Sequence, residues 1–209
     1  MAISGIIMVL FLIAHAIGNL HVFQGADSFN EYSEWLRTLG EPALPKRTVL
    51  TLIEIVLTVS VVAHIWAAVS LWKQAKRARP VAYVSKKRVQ QSYASRTTRW
   101  GGVIIGLFII WHLLDMTFGV VNPADGSDPT PYDKLIASQQ NVAITVFYIV
   151  SLLLLGLHLR HGLWSAVQTL GQTNQRRERT VNVTATVVAT LITVLFLITP
   201  VAIVTRLVG

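Results

Sequence analysis

Five stretches of this chain are long and apolar enough to cross the hydrocarbon core of a bilayer, and they limit its fold more than any other feature. Crossing about 30 Å of hydrocarbon takes roughly 20 helical residues. The stretches run over about Ala2–Phe23, Thr48–Trp72, Trp100–Val121, Asn141–Val167 and Val181–Val204. In lipid every backbone N–H and C=O must be satisfied within the protein, which leaves helices and closed barrels. The period-two alternation of barrel strands is missing. The sequence therefore predicts an all-α fold, a polytopic transmembrane bundle of five membrane-spanning helices forming a single domain over 1–209. With 53% hydrophobic and 13% charged residues in 209, an ordinary soluble domain is excluded.

The connectors set the topology. Between the second and third spans lie Lys73, Lys76, Arg77, Arg79, Lys86, Lys87, Arg88, Arg96 and Arg99 without an acid, and after the fourth lie Arg176, Arg177 and Arg179 with Glu178. The other two connectors carry Asp27, Glu31, Glu34 and Glu41, and Asp125, Asp128 and Asp133. The positive-inside rule places the basic pair, and with it the N-terminus, in the cytoplasm and the C-terminus outside, in a multi-pass protein of the cell inner (plasma) membrane. The net charge of +8 follows this topology, so nucleic acid is not an expected partner; anionic headgroups or an acidic soluble partner suit the 73–99 segment. The chain opens almost directly into a span without a basic n-region, which reads as a retained helix rather than a signal peptide, with the natural start expected upstream. Residues 29–36 form an amphipathic piece, expected as a short helix on the outer surface. Residues 120–132, rich in Pro, Gly and Asp, read as an outer loop. Arg79-Pro80 is expected to break the second helix, and Pro200 to kink the fifth.

All six histidines lie inside or at the edge of a span. A lipid-facing helix avoids imidazole, because an intramembrane polar ring is costly without a partner. His15, His64, His112 and His158 fall one to a helix on four successive spans. At 1.5 Å rise per residue, His15 lies about 20 Å and His112 about 18 Å from the inner ends of their helices. His64 lies about 12 Å from its inner end, with His158 of the same order. Two rings at equal depth can hold one iron from opposite faces, and imidazole suits iron. The depths predict two bis-imidazole b-type haems, His15 with His112 and His64 with His158. Small residues near these rings (Gly18, Ala67, Ala68, Gly102, Gly106 and Gly156) suit a flat macrocycle, and equally suit plain helix packing.

Other polar groups in the spans extend the reading. His161, three after His158 and beside Arg160, is a cofactor-binding candidate for a haem propionate or a quinone, whereas His21 ends the first span facing water. The carboxyls of Glu54 and Asp115 are proton-relay candidates, or simply reach interfacial water. The chain has no cysteine, so disulfides and all-cysteine metal sites are excluded.

Phe11-Leu12-Ile13-Ala14-His15-Ala16-Ile17-Gly18-Asn19-Leu20, Trp111-His112-Leu113-Leu114-Asp115 and His158-Leu159-Arg160-His161-Gly162-Leu163-Trp164-Ser165, with His64 between them, resemble the five-helix dihaem cytochrome b membrane-anchor subunit of succinate dehydrogenases and fumarate reductases, the complex II family. The resemblance implies that the first and third histidines hold the haem far from the catalytic subunits, and the second and fourth the near one. It further implies an anchor for a flavoprotein and an iron–sulfur subunit on the cytoplasmic side, with no succinate-oxidising site in this chain. Electrons would pass from the iron–sulfur subunit through the haems to a quinone, menaquinone by resemblance. One quinone site is implied near the outer haem, pointing at Glu31, Tyr32 and Glu34. Some relatives hold a membrane-embedded iron–sulfur cluster with histidine ligands instead, and this chain could supply only its nitrogen side. Two other readings compete: the cytochrome b anchor of another quinone-linked dehydrogenase, such as a hydrogenase or formate dehydrogenase, and a proton-coupled transporter using a histidine relay.

Overall fold

The computed structural model of the protein describes residues 1–78, 93–171 and 175–209. Its order is α1 (Ala2–Asn19), α2 (Ala26–Thr38), α3 (Thr48–Arg77), α4 (Tyr93–His112), α5 (Pro131–Gln140), α6 (Val142–Thr169) and α7 (Gln175–Val204), with no strand among the described residues. Five helical segments are long and apolar enough to span a membrane, as expected: α1 with the turn after it, α3, the apolar part of α4, α6 and α7. The chain is an all-helical, multi-pass membrane protein. The expected break at Arg79-Pro80, and the basic residues Lys86, Lys87 and Arg88, lie outside the described residues.

The helices outrun the apolar stretches at several ends. α3 continues five residues past Trp72 to Arg77, and α4 and α7 begin at Tyr93 and Gln175, before the apolar runs open. Helical hydrogen bonding does not stop at the hydrocarbon boundary, so polar residues carry it onward. The third span is shorter than expected at its far end. A π turn over Leu113–Thr117 closes it before Val121, and the chain turns away at Gly119, whose φ of 68° favours glycine. Pro200 lies inside α7, which continues to Val204.

Two short helices close one end of the bundle. Gly25, at φ 94°, turns the chain out of the 3-10 turn Leu20–Gln24 and into α2, which contains the expected amphipathic piece. α5 starts inside the segment expected as loop. Thr130 caps it by accepting from the Asp133 N–H, the Asp133 side chain returns the bond, and Pro131 takes the first position. The two short helices meet where Tyr132 N–H donates to Asn30 Oδ1 at 3.1 Å and the Phe29 and Tyr132 rings lie 6.2 Å apart. α3 and α6 finish, and α4 and α7 start, at the opposite end.

α6 packs along α7, and α1 joins them through a core of Ala16, Leu152, Leu159, Ala189, Ile192 and Phe196. α3 lies against α1, and α4 against α6. Among the described residues, α1 and α4 do not pack extensively on each other, nor do α3 and α6. The helices that carry each depth-matched histidine pair are therefore not close neighbours.

Small residues make the tight crossings. Gly156 faces Thr193 of α7 so closely that a Cβ there would overlap its hydroxyl, which is itself held by the Ala189 carbonyl at 2.7 Å. Gly156 thus serves helix packing, as small residues do where membrane helices approach. Gly18 faces the Tyr32 ring, 2.7 Å from where a Cβ would stand. At both glycines the packing alternative of the sequence reading is the one the structure shows. Gly156→Val is expected to lower stability by about 1–3 kcal/mol through overpacking, and Thr193→Ala in the same chain should recover part of the loss. Thermal unfolding of the detergent-solubilised protein measures both, and an unchanged Gly156→Val would contradict this packing.

Candidate functional site

The structure brings the four span histidines into two pairs. His15 of α1 and His112 of α4 have ring centroids 5.9 Å apart at an interplanar angle of 82°. His64 of α3 and His158 of α6 are 6.3 Å apart at 62°. The upper pair, His15 and His112, lies toward the end closed by α2 and α5. The lower pair lies toward the other end, where α3 and α6 finish. Each of the four rings is partly exposed within the chain.

These spacings can be tested against a metal held between rings. A metal–imidazole bond is about 2 Å, so two rings gripping one metal from opposite sides have centroids roughly 6 Å apart. Both pairs meet that spacing, across helices that do not pack closely on each other. No group of three or more His, Cys, Asp or Glu side chains converges on a metal position among the described residues. Among the described residues, each position then offers two imidazoles. This donor set suits a metal that brings its other ligands in a macrocycle, as haem iron does.

The surroundings are apolar and flat. His15 stacks on Phe11 at 5.2 Å and lies 5.7 Å from Phe196, while His112 lies 5.8 Å from Phe108 and 6.0 Å from Tyr148. Beside the lower pair, Gly5 and Gly102 leave bare backbone near His64 and His158, where a Cβ would stand 3.7 and 3.6 Å from the ring carbons. Gly106, one turn beyond Gly102 on the same face, has nothing within 4 Å of a Cβ position.

The two intramembrane acids separate sharply. Glu54 is exposed and pairs with Arg47 at 3.7 Å, near the start of α3. Asp115, in the π turn just after His112, is fully buried. Its carboxyl accepts from three elements: Asn122 Nδ2 at 2.7 Å, Ser138 Oγ of α5 at 2.6 Å and Tyr148 OH of α6 at 2.7 Å. Asn122 also donates to the Lys134 carbonyl at 3.1 Å, so this acid is one of the groups that tie α5 to the bundle. Tyr148 OH lies 3.4 Å from His112 Nδ1. The sequence reading missed Tyr148 and Ser138; a hydroxyl at each of two apolar positions facing an acid carries no local signature.

The remaining candidates lie apart from the ring pairs. Tyr32 stacks on His21 with centroids 4.5 Å apart, and Trp35 follows at 5.8 Å. His21 Nδ1 meets Ser28 Oγ at 3.0 Å, so this ring is held by α2, where the sequence reading has it merely facing water. Glu31 is exposed, and Glu34 is engaged by Lys46 and by Arg37. The Lys46 hydrogen bond is the main reason the Glu34 carboxyl sits below its ordinary pKa. His161 lies 6.1 Å from Trp164. The indole N–H groups of Trp111 and Trp164 are buried without a hydrogen-bond partner among the described residues.

A family model described as the succinate dehydrogenase/fumarate reductase transmembrane subunit matches residues 73–199, well over half of the chain. The matched stretch holds His112, Asp115, Tyr148, His158 and His161, while His15 and His64 precede it. No curated protein and no solved structure matches the chain.

Removing the acid should strand three donors at once, each at about 1–3 kcal/mol. Asp115→Ala is therefore expected to cost at least about 3 kcal/mol, whereas Glu54→Gln should cost under about 1 kcal/mol, as exposed pairs do. Melting of the solubilised protein compares the two variants, and equal costs would contradict the separation.

Proposed function

The chain belongs to the succinate dehydrogenase/fumarate reductase transmembrane subunit family, and we propose that it anchors the flavoprotein and iron–sulfur subunits of a succinate dehydrogenase to the membrane and links them to quinone. Membership makes it part of an oxidoreductase complex and favours complex II partners over those of a hydrogenase or formate dehydrogenase. We take the basic end as cytoplasmic, where the soluble subunits dock, and the end closed by α2 and α5 as the outer face of the cell membrane.

The observation that carries this reading is the spacing of the ring pairs, 5.9 and 6.3 Å, at two levels of the bundle. His15 with His112 would hold an outer haem b, and His64 with His158 an inner one. When bound, these groups supply one-electron chemistry at two steps between the iron–sulfur subunit and a membrane quinone. The protein's own part is to fix the rings, exclude water and keep polar side chains away from the macrocycle faces. Phe11, Phe108 and Phe196 do so at the outer pair. A mixed-ligand iron–sulfur cluster needs four protein ligands, and each pair offers two, which favours haem.

At the outer end, the stacked His21 and Tyr32 form the better quinone candidate, because Glu34 is engaged by Lys46 and Arg37. A flat quinone ring suits a stack of this kind, and the tyrosine hydroxyl can donate to a quinone oxygen. Menaquinone is the form proposed. His161 and Trp164, at the inner end, offer ring and indole N–H groups to a propionate. Asp115, closed in by three donors, suits a fixed structural acceptor better than a proton relay.

A reduced-minus-oxidised absorbance spectrum of the purified complex tests the proposal. Two b-type contributions are expected in the wild type. His64→Ala should remove the inner one and keep the outer, and His15→Ala should do the reverse. Both contributions surviving either change would overturn the ligand assignment, and a blank wild-type spectrum would overturn the haem reading itself.

A further inference from the structure

We propose that Asp115, acting through Tyr148, is a positioning residue for His112, fixing its proton on Nδ1 and leaving Nε2 free to ligate. This rests on the haem reading of the upper pair. A tyrosine hydroxyl has a single proton to give, and that of Tyr148 is directed to Asp115 Oδ2 at 2.7 Å. Toward His112 Nδ1, at 3.4 Å, the Tyr148 oxygen can then only accept. The nitrogen facing it must carry the hydrogen, and the other ring nitrogen keeps its lone pair for the metal.

The carboxyl is well suited to hold this arrangement. Ser138 and Asn122 occupy its oxygens from two further elements, and Asn122 is braced on the Lys134 carbonyl. Asp115 therefore cannot turn away from Tyr148 without stranding buried donors. The π turn over Leu113–Thr117 sets the register that brings both His112 and Asp115 toward Tyr148.

The lower pair shows the same logic with different parts. His64 Nδ1 lies 3.2 Å from Ser4 Oγ, whose proton is committed to the Met1 carbonyl at 3.0 Å. One ring of each pair thus faces a hydroxyl that has already spent its proton. A hydrogen bond accepted from the far nitrogen of a ligating imidazole fixes its orientation and raises its basicity. More basic axial ligation favours the oxidised metal, and hydrogen bonding around the ligands is one of the means by which a protein sets a haem potential.

The test is a potentiometric titration of the intact, solubilised complex, followed by absorbance and by low-temperature electron paramagnetic resonance. Tyr148→Phe keeps the ring and removes the acceptor. It should raise the midpoint potential of the outer centre and shift its low-spin signal, leaving the inner centre unmoved. Asp115→Asn should move the outer centre in the same direction. Asn122→Ala, which takes a donor from Oδ1, the carboxylate oxygen that Tyr148 does not use, should lower thermal stability and leave both potentials alone. A wild type with two haems whose outer centre ignores Tyr148→Phe and Asp115→Asn overturns the positioning alone, as does an equal shift of both centres. A wild type without haem overturns this inference together with the reading beneath it.

Discussion

A polar ring in hydrocarbon has almost nothing to bond with, and in this bundle the four span imidazoles meet in pairs. Burying such a group unpartnered costs several kcal/mol. The bundle's packing follows from that requirement. α6, α7 and α1 join through aliphatic and small side chains. The helices carrying each pair, α1 with α4 and α3 with α6, are not close neighbours, so the rings meet across a gap. The ring centroids of the two pairs lie 5.9 and 6.3 Å apart, at two levels of the bundle.

The short helices α2 and α5, which close one end of the bundle, serve the same architecture. α2 brings Tyr32 over His21, and α5 brings Ser138 to Asp115. Neither short helix is apolar enough to insert by itself, so their value lies in what they hold in place. The acid at the centre of the α5 contact is three residues from a ring of the upper pair. α5 and the His15–His112 pair are therefore mechanically linked at that end.

Much of this was legible in the sequence, for identifiable reasons. Span length and the absence of alternation fixed the fold class, since lipid permits so few ways to satisfy a backbone. Ring depth, counted at a constant rise per residue, matched His15 to His112 and His64 to His158 because straight helices crossing one slab share a ruler. That count survives errors of several residues at the helix ends, such as those at Trp72 and Val121. What stayed hidden depends on rotation and on turns. The Asp115–Tyr148 contact needs the azimuth of two helices and an extra residue in the turn after His112, neither of which depth can supply. The His21–Tyr32 stack needs the reversal at Gly25. α5 was a different kind of miss, because Thr130-Pro131-Tyr132-Asp133 is a capping box with proline at the first position, and the Pro, Gly and Asp just before it drew the whole segment into a loop. Gly18 and Gly156 stayed undecided in the sequence, since smallness by itself does not tell a helix neighbour from a cofactor face.

The central claim is that two metals sit between these imidazoles, one above the other. Anomalous scattering at the iron absorption edge, from crystals of the intact complex, addresses it most directly. The account predicts two iron positions in the membrane region, one between His15 and His112 and the other between His64 and His158. A membrane region without iron, or one iron bridging rings from different pairs, would contradict it.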